Sequence, residues 1–170
     1  MSSKIFSCAG GEVCLPPVPM TDRADGGNLM VLPPRVVWDR TELSVDELIR
    51  WSLLVAATAQ SMLNVLPQLR DGCINYWDAG NWALNHDAEP KGLKSPRQHR
   101  KMHLHLLGRS PSCKDPDWQW GESPIFPRFD KSDNGSVKRE QLNEAECLAI
   151  ITNIKSLLSG KYIIGSSDLL

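Results

Sequence analysis

The stretch Lys101-Met-His-Leu-His-Leu-Leu-Gly-Arg109 decides how the rest of the chain is interpreted. In a strand, alternate side chains point to opposite faces of the sheet, so His103 and His105 share one face with Lys101. The opposite face is purely apolar and is formed by Met102, Leu104 and Leu106. Two residues of strand rise set the two histidine Cα atoms roughly 6.5–7 Å apart, within reach of one phosphate-sized group. A strand whose solvent face happens to carry two histidines is the alternative.

Composition indicates an ordinary soluble globular chain. At 170 residues we expect a single domain over residues 1–170, and 41% apolar with 23% charged residues suffices to bury a core. A formal net charge of −1 creates no global field that favours nucleic acid or an acidic membrane. There is no signal-peptide layout, and no apolar run approaches the roughly 18–20 residues of a membrane span. We therefore expect a cytoplasmic protein without nucleic-acid or membrane partners.

The cysteines predict neither a disulfide framework nor a zinc site. Five are scattered along the chain without a C-x-x-C pair, namely Cys8, Cys14, Cys73, Cys113 and Cys147. Reduced thiols without a metal or other cofactor are the preferred interpretation. A metal site that combines His103 and His105 with a cysteine is a weaker alternative.

Local patterns predict most of the secondary structure. Short strands are expected around residues 4–7 and 12–15, and Asn28 to Leu32, closed by two prolines, is typical of a buried strand. A capping box at Ser44 and Glu47 starts an amphipathic helix that should stop before Pro67. Two strands, Cys73 to Ala79 and Trp82 to Asn85, should meet at a Gly80-Asn81 turn, and a last helix should run over about 144–159.

The loops carry three further patterns. Basic side chains at Lys91, Lys94, Arg97 and Arg100 indicate either a solvated loop or an electrostatic guide for phosphates. Trp118 and Trp120 suit either stacking on a base or pinning a loop onto the domain or a partner subunit. Asp130 to Gly135 partly fits a calcium loop, but Gln141 stands where a bidentate Glu belongs, so we expect a turn.

Three patches, in this order, resemble the histidine triad superfamily of nucleotide hydrolases and transferases. They are Gly26 to Arg35 (Gly-Gly-Asn-Leu-Met-Val-Leu-Pro-Pro-Arg), Gly80 to Asn85 (Gly-Asn-Trp-Ala-Leu-Asn) and Lys101 to Arg109. The first is similar to the family's strand ending in Pro and a basic residue, and the second to its glycine-started strand ending in Asn. The third is similar to its signature of three alternating histidines. The resemblance covers roughly residues 26–110, the expected core, with 111–170 as a C-terminal loop and helix extension.

The resemblance implies an α+β fold, with an antiparallel sheet of about five strands, a long helix packed on one face and a C-terminal helix. It also implies a homodimer that binds a nucleotide at the open face of the sheet. The expected activity is hydrolase or transferase chemistry at the α-phosphate of a dinucleoside polyphosphate or nucleoside-monophosphate derivative, through a nucleotidyl-histidine intermediate. The alternative function is a non-catalytic nucleotide-binding or scaffold protein of the same fold.

The same resemblance suggests site residues. Alignment on Leu-Leu-Gly-Arg makes His103 the middle, nucleophilic histidine and His105 the third, with Lys101 in place of the first. The alternative register, with His105 as nucleophile, would put Leu107 in the third place. The implied nucleotide-binding residues are Asn85, Gln98, Asn28 and Arg109.

The chain departs from the family pattern at three positions. Lys101 replaces the first histidine, Asn28 replaces the upstream histidine, and Met20 stands where a ribose-binding acidic or amide residue is usual, with Asp22 close by. A lysine can stabilise phosphate charge, but it lacks the two-sided hydrogen bonding of imidazole. These departures leave the expected nucleophile His103 intact, and they are the reason for keeping the non-catalytic alternative.

Overall fold

The protein is represented by a computed structural model that describes residues 2–78, 89–125 and 138–163. Within these residues five strands form one sheet in the order β1-β2-β3-β5-β4, and all neighbouring strands are antiparallel. The strands are β1 (Ser3–Cys8), β2 (Gly11–Leu15), β3 (Asn28–Leu32), β4 (Cys73–Trp77) and β5 (Leu104–Arg109). The predicted strand Trp82 to Asn85, its Gly80-Asn81 turn and the Asp130 to Gly135 turn lie outside the described residues.

The three helices are α1 (Val45–Val65), the single turn α2 (Pro96–His99) and α3 (Glu144–Ser159). The predicted capping box of α1 is present: Glu47 N–H donates to the Ser44 hydroxyl, and Ser44 N–H donates to the Glu47 carboxylate. Asn143 and Glu146 form the same reciprocal pair at the start of α3. Each box satisfies two backbone N–H groups that a helix start otherwise leaves without an acceptor, which accounts for both starting points. None of the described helices is long and apolar enough to cross a membrane.

The hydrophobic core lies between one face of the sheet and helices α1 and α3. The sheet contributes alternate, fully buried side chains, including Val13, Leu29, Val31 and Leu106. The helices contribute apolar side chains at helical spacing, including Leu54 and Met62 of α1 and Ile150, Ile154 and Leu158 of α3. Burial of one such side chain contributes roughly 1.5–3 kcal/mol, so this face fixes the register of the strands.

The strand register also defines the opposite face of the sheet, the face that the resemblance implies is open, although Met30, His105, Asn28 and Leu107 on it are at most 8% exposed. On it Met30 and Trp77 flank His105, while Asn28 and Asn75 flank Leu107. A slip of one residue would exchange the two faces, so the packed core holds these polar side chains on the open side.

Strand β5 begins later than its alternating pattern predicts. The ladder starts at Leu104, and residues 101–103 approach it in extended form, with Met102 N–H donating to Val37 O at 2.9 Å. Met102 is nevertheless buried in the core, and His103 turns to the same side as His105. The predicted separation into an apolar and a histidine face is therefore correct, although residues 101–103 pair with an irregular segment and not with a strand.

Two glycines allow the chain to pack tightly at the far end of β5. A Cβ on Gly108 would lie 2.1 Å from Gly26 O, and Gly108 N–H donates to Gly27 O at 2.9 Å. Trp118 is buried in the loop that follows, and its Nε1–H donates to Gly108 O at 2.9 Å. Of the two interpretations of this tryptophan, the described contacts favour pinning of the loop onto its own domain.

Candidate functional site

The two histidines of the signature stretch are in direct contact. The Nε2 atoms of His103 and His105 lie 3.1 Å apart, and the rings meet nearly edge to face with centroids 4.9 Å apart. His105 is only 6% exposed, whereas His103 at the strand entrance is partly exposed. The fold thus leaves the His103 ring partly exposed and packs the buried His105 ring against it.

A backbone carbonyl orients His103. Its Nδ1 lies 2.9 Å from Lys101 O, and because a carbonyl only accepts, Nδ1 carries the proton and donates it. A neutral imidazole has a single N–H, so Nε2 of His103 then holds a lone pair. This leaves Nε2 as the nucleophilic atom of the ring.

His105 is a neutral group at every physiological pH. Burial, followed by the neighbouring His103, lowers the pKa of His105 to about 3, and the Asp78 carboxylate opposes this shift. The Trp77 ring covers one side, with centroids 5.8 Å apart. A buried neutral imidazole donates one hydrogen bond and accepts another, and it adds no positive charge to the site.

Asn28 lies behind His105 and is 1% exposed. Its Nδ2 is 2.9 Å from Leu29 O, 3.2 Å from Leu106 O and 3.5 Å from Nδ1 of His105. Met20 N–H donates to its Oδ1 at 3.1 Å. The structure therefore brings Asn28 together with His105, as a buried neighbour of the ring.

The other sequence-predicted residues are distributed around the site. Lys101 and Gln98 are exposed, Lys101 directly before His103 and Gln98 on α2. Asn85 lies outside the described residues. Asp22 caps a turn. Its two carboxylate oxygens accept hydrogen bonds from Ala24 N–H and Glu140 N–H.

Arg109 is not brought together with the histidines. It lies at the opposite end of β5, is 7% exposed, and its guanidinium donates to the carbonyls of Trp118, Gln119 and Glu122. It also lies over the Trp118 ring, with Cζ 5.6 Å from the centroid. Its described contacts hold the loop that follows β5.

Sequence analysis did not identify a cluster of charged side chains beside the site. Arg100 donates to Asp39 at 2.8 Å and lies 3.6 Å from Asp78, and Arg40 donates to Asp78 at 2.7 Å. These groups come from three separate segments, so no spacing in the chain could have indicated them. The cluster ties the segment before His103 to the end of β4.

Two of the basic loop residues, Arg97 and Arg100, lie close to acidic side chains. Arg97 lies 3.6 Å from Glu42 and stacks over the Trp38 ring at 5.2 Å, and Arg100 has the two acidic partners already described. Two of the four basic residues of the predicted electrostatic guide therefore hold the loop in place.

No disulfide joins the five cysteines, all of which belong to the described residues, and burial raises the pKa of the Cys113 thiol to about 11. Across residues 2–78, 89–125 and 138–163, no group of three or more His, Cys, Asp or Glu side chains could hold a metal ion.

This architecture is similar to that of a solved protein. The crystal structure of a hypothetical histidine triad nucleotide-binding protein from Sulfolobus tokodaii strain 7 matches with a TM-score of 0.52 and 16% identity, covering 97% of this chain and 93% of that chain. No protein-family model and no curated protein matches the sequence. The likeness shows the fold, which is an α+β architecture with a five-stranded antiparallel sheet and packed helices.

Proposed function

We propose that the protein binds a nucleotide at the open face beside His103 and His105 and cleaves it at the α-phosphorus. The observation that carries this proposal is the 2.9 Å contact between Nδ1 of His103 and Lys101 O, which puts the proton of the neutral ring on Nδ1 and leaves Nε2 with the nucleophilic lone pair. Supporting it is the fold shared with a protein described as a nucleotide-binding histidine triad protein. The substrate would be a dinucleoside polyphosphate or a nucleoside-monophosphate derivative.

The reaction would proceed in two displacements. Nε2 of His103 attacks the α-phosphorus, a P–N bond forms, and the bond to the leaving group breaks as that group departs with its electron pair. Water then attacks the same phosphorus, the P–N bond breaks, and the nucleoside monophosphate leaves with His103 restored. The Nε2–H of His105, close to the attacking atom, would donate to a phosphate oxygen while negative charge develops on it.

Lys101 fits this chemistry in spite of the missing histidine. The atom of residue 101 that orients His103 is the backbone carbonyl oxygen, which every amino acid supplies. Lys101 is exposed and lies two residues before His103, so its ammonium would attract the phosphates of the substrate. Gln98, Asn85 and Arg109 stay nucleotide-binding predictions, as do the homodimer, the cytoplasmic location and the single domain.

The test is trapping of the intermediate with a panel of nucleotides labelled at the α-phosphorus. We expect an acid-labile phosphoramidate on His103, and we expect His103→Ala to lose both the label and all turnover. His99→Ala removes an imidazole on α2, so it should keep both. Undiminished turnover of His103→Ala would refute the proposal, and calorimetric binding of AMP without turnover of any nucleotide would establish the non-catalytic alternative.

A further inference from the structure

The orientation of the buried Asn28 amide is determined by three backbone groups. Its oxygen faces Met20 N–H at 3.1 Å, while its nitrogen faces the carbonyls of Leu29 and Leu106 at 2.9 and 3.2 Å. Exchange of the oxygen and the nitrogen would place an acceptor against two acceptors and a donor against a donor. The nitrogen of Asn28, and not its oxygen, therefore faces the carbonyls of Leu29 and Leu106.

This orientation determines which nitrogen of His105 carries the proton. Nδ1 of His105 faces Asn28 Nδ2, which only donates, at 3.5 Å. A proton on Nδ1 would point at another N–H group, so Nδ1 must hold the lone pair. The single proton of the neutral ring then lies on Nε2, directed at Nε2 of His103, which is 3.1 Å away.

The contacts therefore allow one arrangement of protons. Met20 N–H donates to Asn28 Oδ1, the two N–H bonds of Asn28 go to Leu29 O and Leu106 O, and its nitrogen faces Nδ1 of His105 at 3.5 Å. His105 donates from Nε2 to His103, and His103 donates from Nδ1 to Lys101 O. Protonation of His105 at Nδ1 would set an N–H group against the Asn28 amide group.

We propose that Asn28 is a positioning residue that holds His105 as a neutral imidazole with its proton on Nε2. His105 would then act as a fixed hydrogen-bond donor, to His103 in the free protein and to the phosphate during reaction, and not as a general acid that passes through an imidazolium. The assignment of the proton stands on the free protein alone, whereas its catalytic consequence rests on the proposed function.

Of the groups around His105, Asn28 faces Nδ1 and His103 faces Nε2. Strand β3 presents Met30 and Asn28 beside the ring, and β4 presents Trp77; none of these side chains titrates. Among the described residues, His103 and Asp78 are the titratable groups that act on it. Asp78 favours the imidazolium, but Arg40 and Arg100 both pair with its carboxylate.

The direct test is the tautomer of His105, read from long-range ¹H–¹⁵N spectra of the ligand-free, ¹⁵N-labelled protein. We expect a neutral ring with its proton on Nε2 between pH 5 and 8. A proton on Nδ1, or an imidazolium at pH 6, would overturn the proposal in the wild-type protein itself. Absence of nucleotide turnover would refute the proposed function and leave this result unchanged.

The second arm compares N28D with N75D. Asn28 and Asn75 both face Leu107, from β3 and β4 respectively, so each variant adds a carboxylate at the same register beside β5. In N28D the new carboxylate faces Nδ1 and should draw a proton onto it, raising the titration midpoint of His105 by about 2 pH units. In N75D no hydrogen bond to His105 is made, so we expect less than about half that shift.

Equal shifts in the two variants would mean that charge alone acts on His105, and would overturn a specific role for Asn28. If the enzyme turns over nucleotides, the pH profile of kcat in N28D should move with the His105 midpoint, while the profile of N75D stays close to wild type. A merely structural role for Asn28 would lower activity at all pH values without moving the pH profile.

Discussion

Acidification below pH 6.5 should destabilise the fold through His105. The pKa of His105 is about 3 in the folded protein against 6.5 for an unperturbed imidazole. Between these values the unfolded chain binds a proton at this residue and the folded chain does not, so stability is present above pH 6.5 and is lost as the pH falls toward 3. Each pKa unit corresponds to about 1.4 kcal/mol, so the move from pH 7 to pH 4.5 should remove about 2.5 kcal/mol.

The assay is urea unfolding at intervals from pH 7 to pH 4.5, with wild type and His105→Gln compared at each pH. Glutamine keeps an N–H donor near the Nε2 position and does not titrate, so subtraction cancels the effect of every other ionisable group. The stability difference between the two proteins should change by about 2.5 kcal/mol in favour of the variant. Parallel curves for the two proteins would refute the conclusion that His105 is buried in neutral form.

Three further changes test the packing that supports the site, each by urea unfolding. Ser44→Ala removes the acceptor for Glu47 N–H at the start of α1 and should cost about 1 kcal/mol; no loss would contradict the capping assignment. Gly108→Ala places a Cβ 2.1 Å from a backbone carbonyl oxygen and should cost at least about 3 kcal/mol, whereas a tolerated alanine would contradict the close approach. Arg100→Gln should cost about 1–2 kcal/mol, because it leaves the carboxylates of Asp39 and Asp78 without the partner they share. The matched Arg97→Gln changes a side chain that is 74% exposed and should cost less than about 0.5 kcal/mol. Equal losses in the two variants would refute the ion cluster.

Signals that lie within a few residues of the chain predicted most of the fold. The bounds of β3 coincide with the predicted run Asn28 to Leu32, and both capping boxes mark the helix starts. These features depend on local hydrogen bonds and on the alternation of side chains, and both can be recognised from residues that are close together in the sequence. The order of strands in the sheet does not follow from them, and the resemblance to a known family implied only an antiparallel sheet of about five strands.

The surroundings of the histidines could not be predicted in the same way. Asn28 meets His105 only because β3 pairs with β5, and Asp78 meets Arg100 only because the end of β4 lies beside the segment before His103. Arg109 belongs to the signature stretch, yet the residues it contacts come from a loop about ten positions further along the chain. Each of these contacts joins segments whose proximity is a property of the folded chain.

Lys101 shows why a departure in sequence need not be a departure in geometry. A residue at this position can act through its side chain or through its carbonyl oxygen, and only the side chain differs between lysine and histidine. The described contact to His103 uses the carbonyl oxygen, 2.9 Å from Nδ1. Substitution of Lys101 by Ala should therefore leave the tautomer of His103 unchanged and weaken only the attraction of phosphates, an effect that rising salt concentration should diminish. The separation of the two effects can be measured by comparing the imidazole spectra with the salt dependence of AMP binding, and a changed His103 tautomer in Lys101→Ala would show that the side chain also orients the ring.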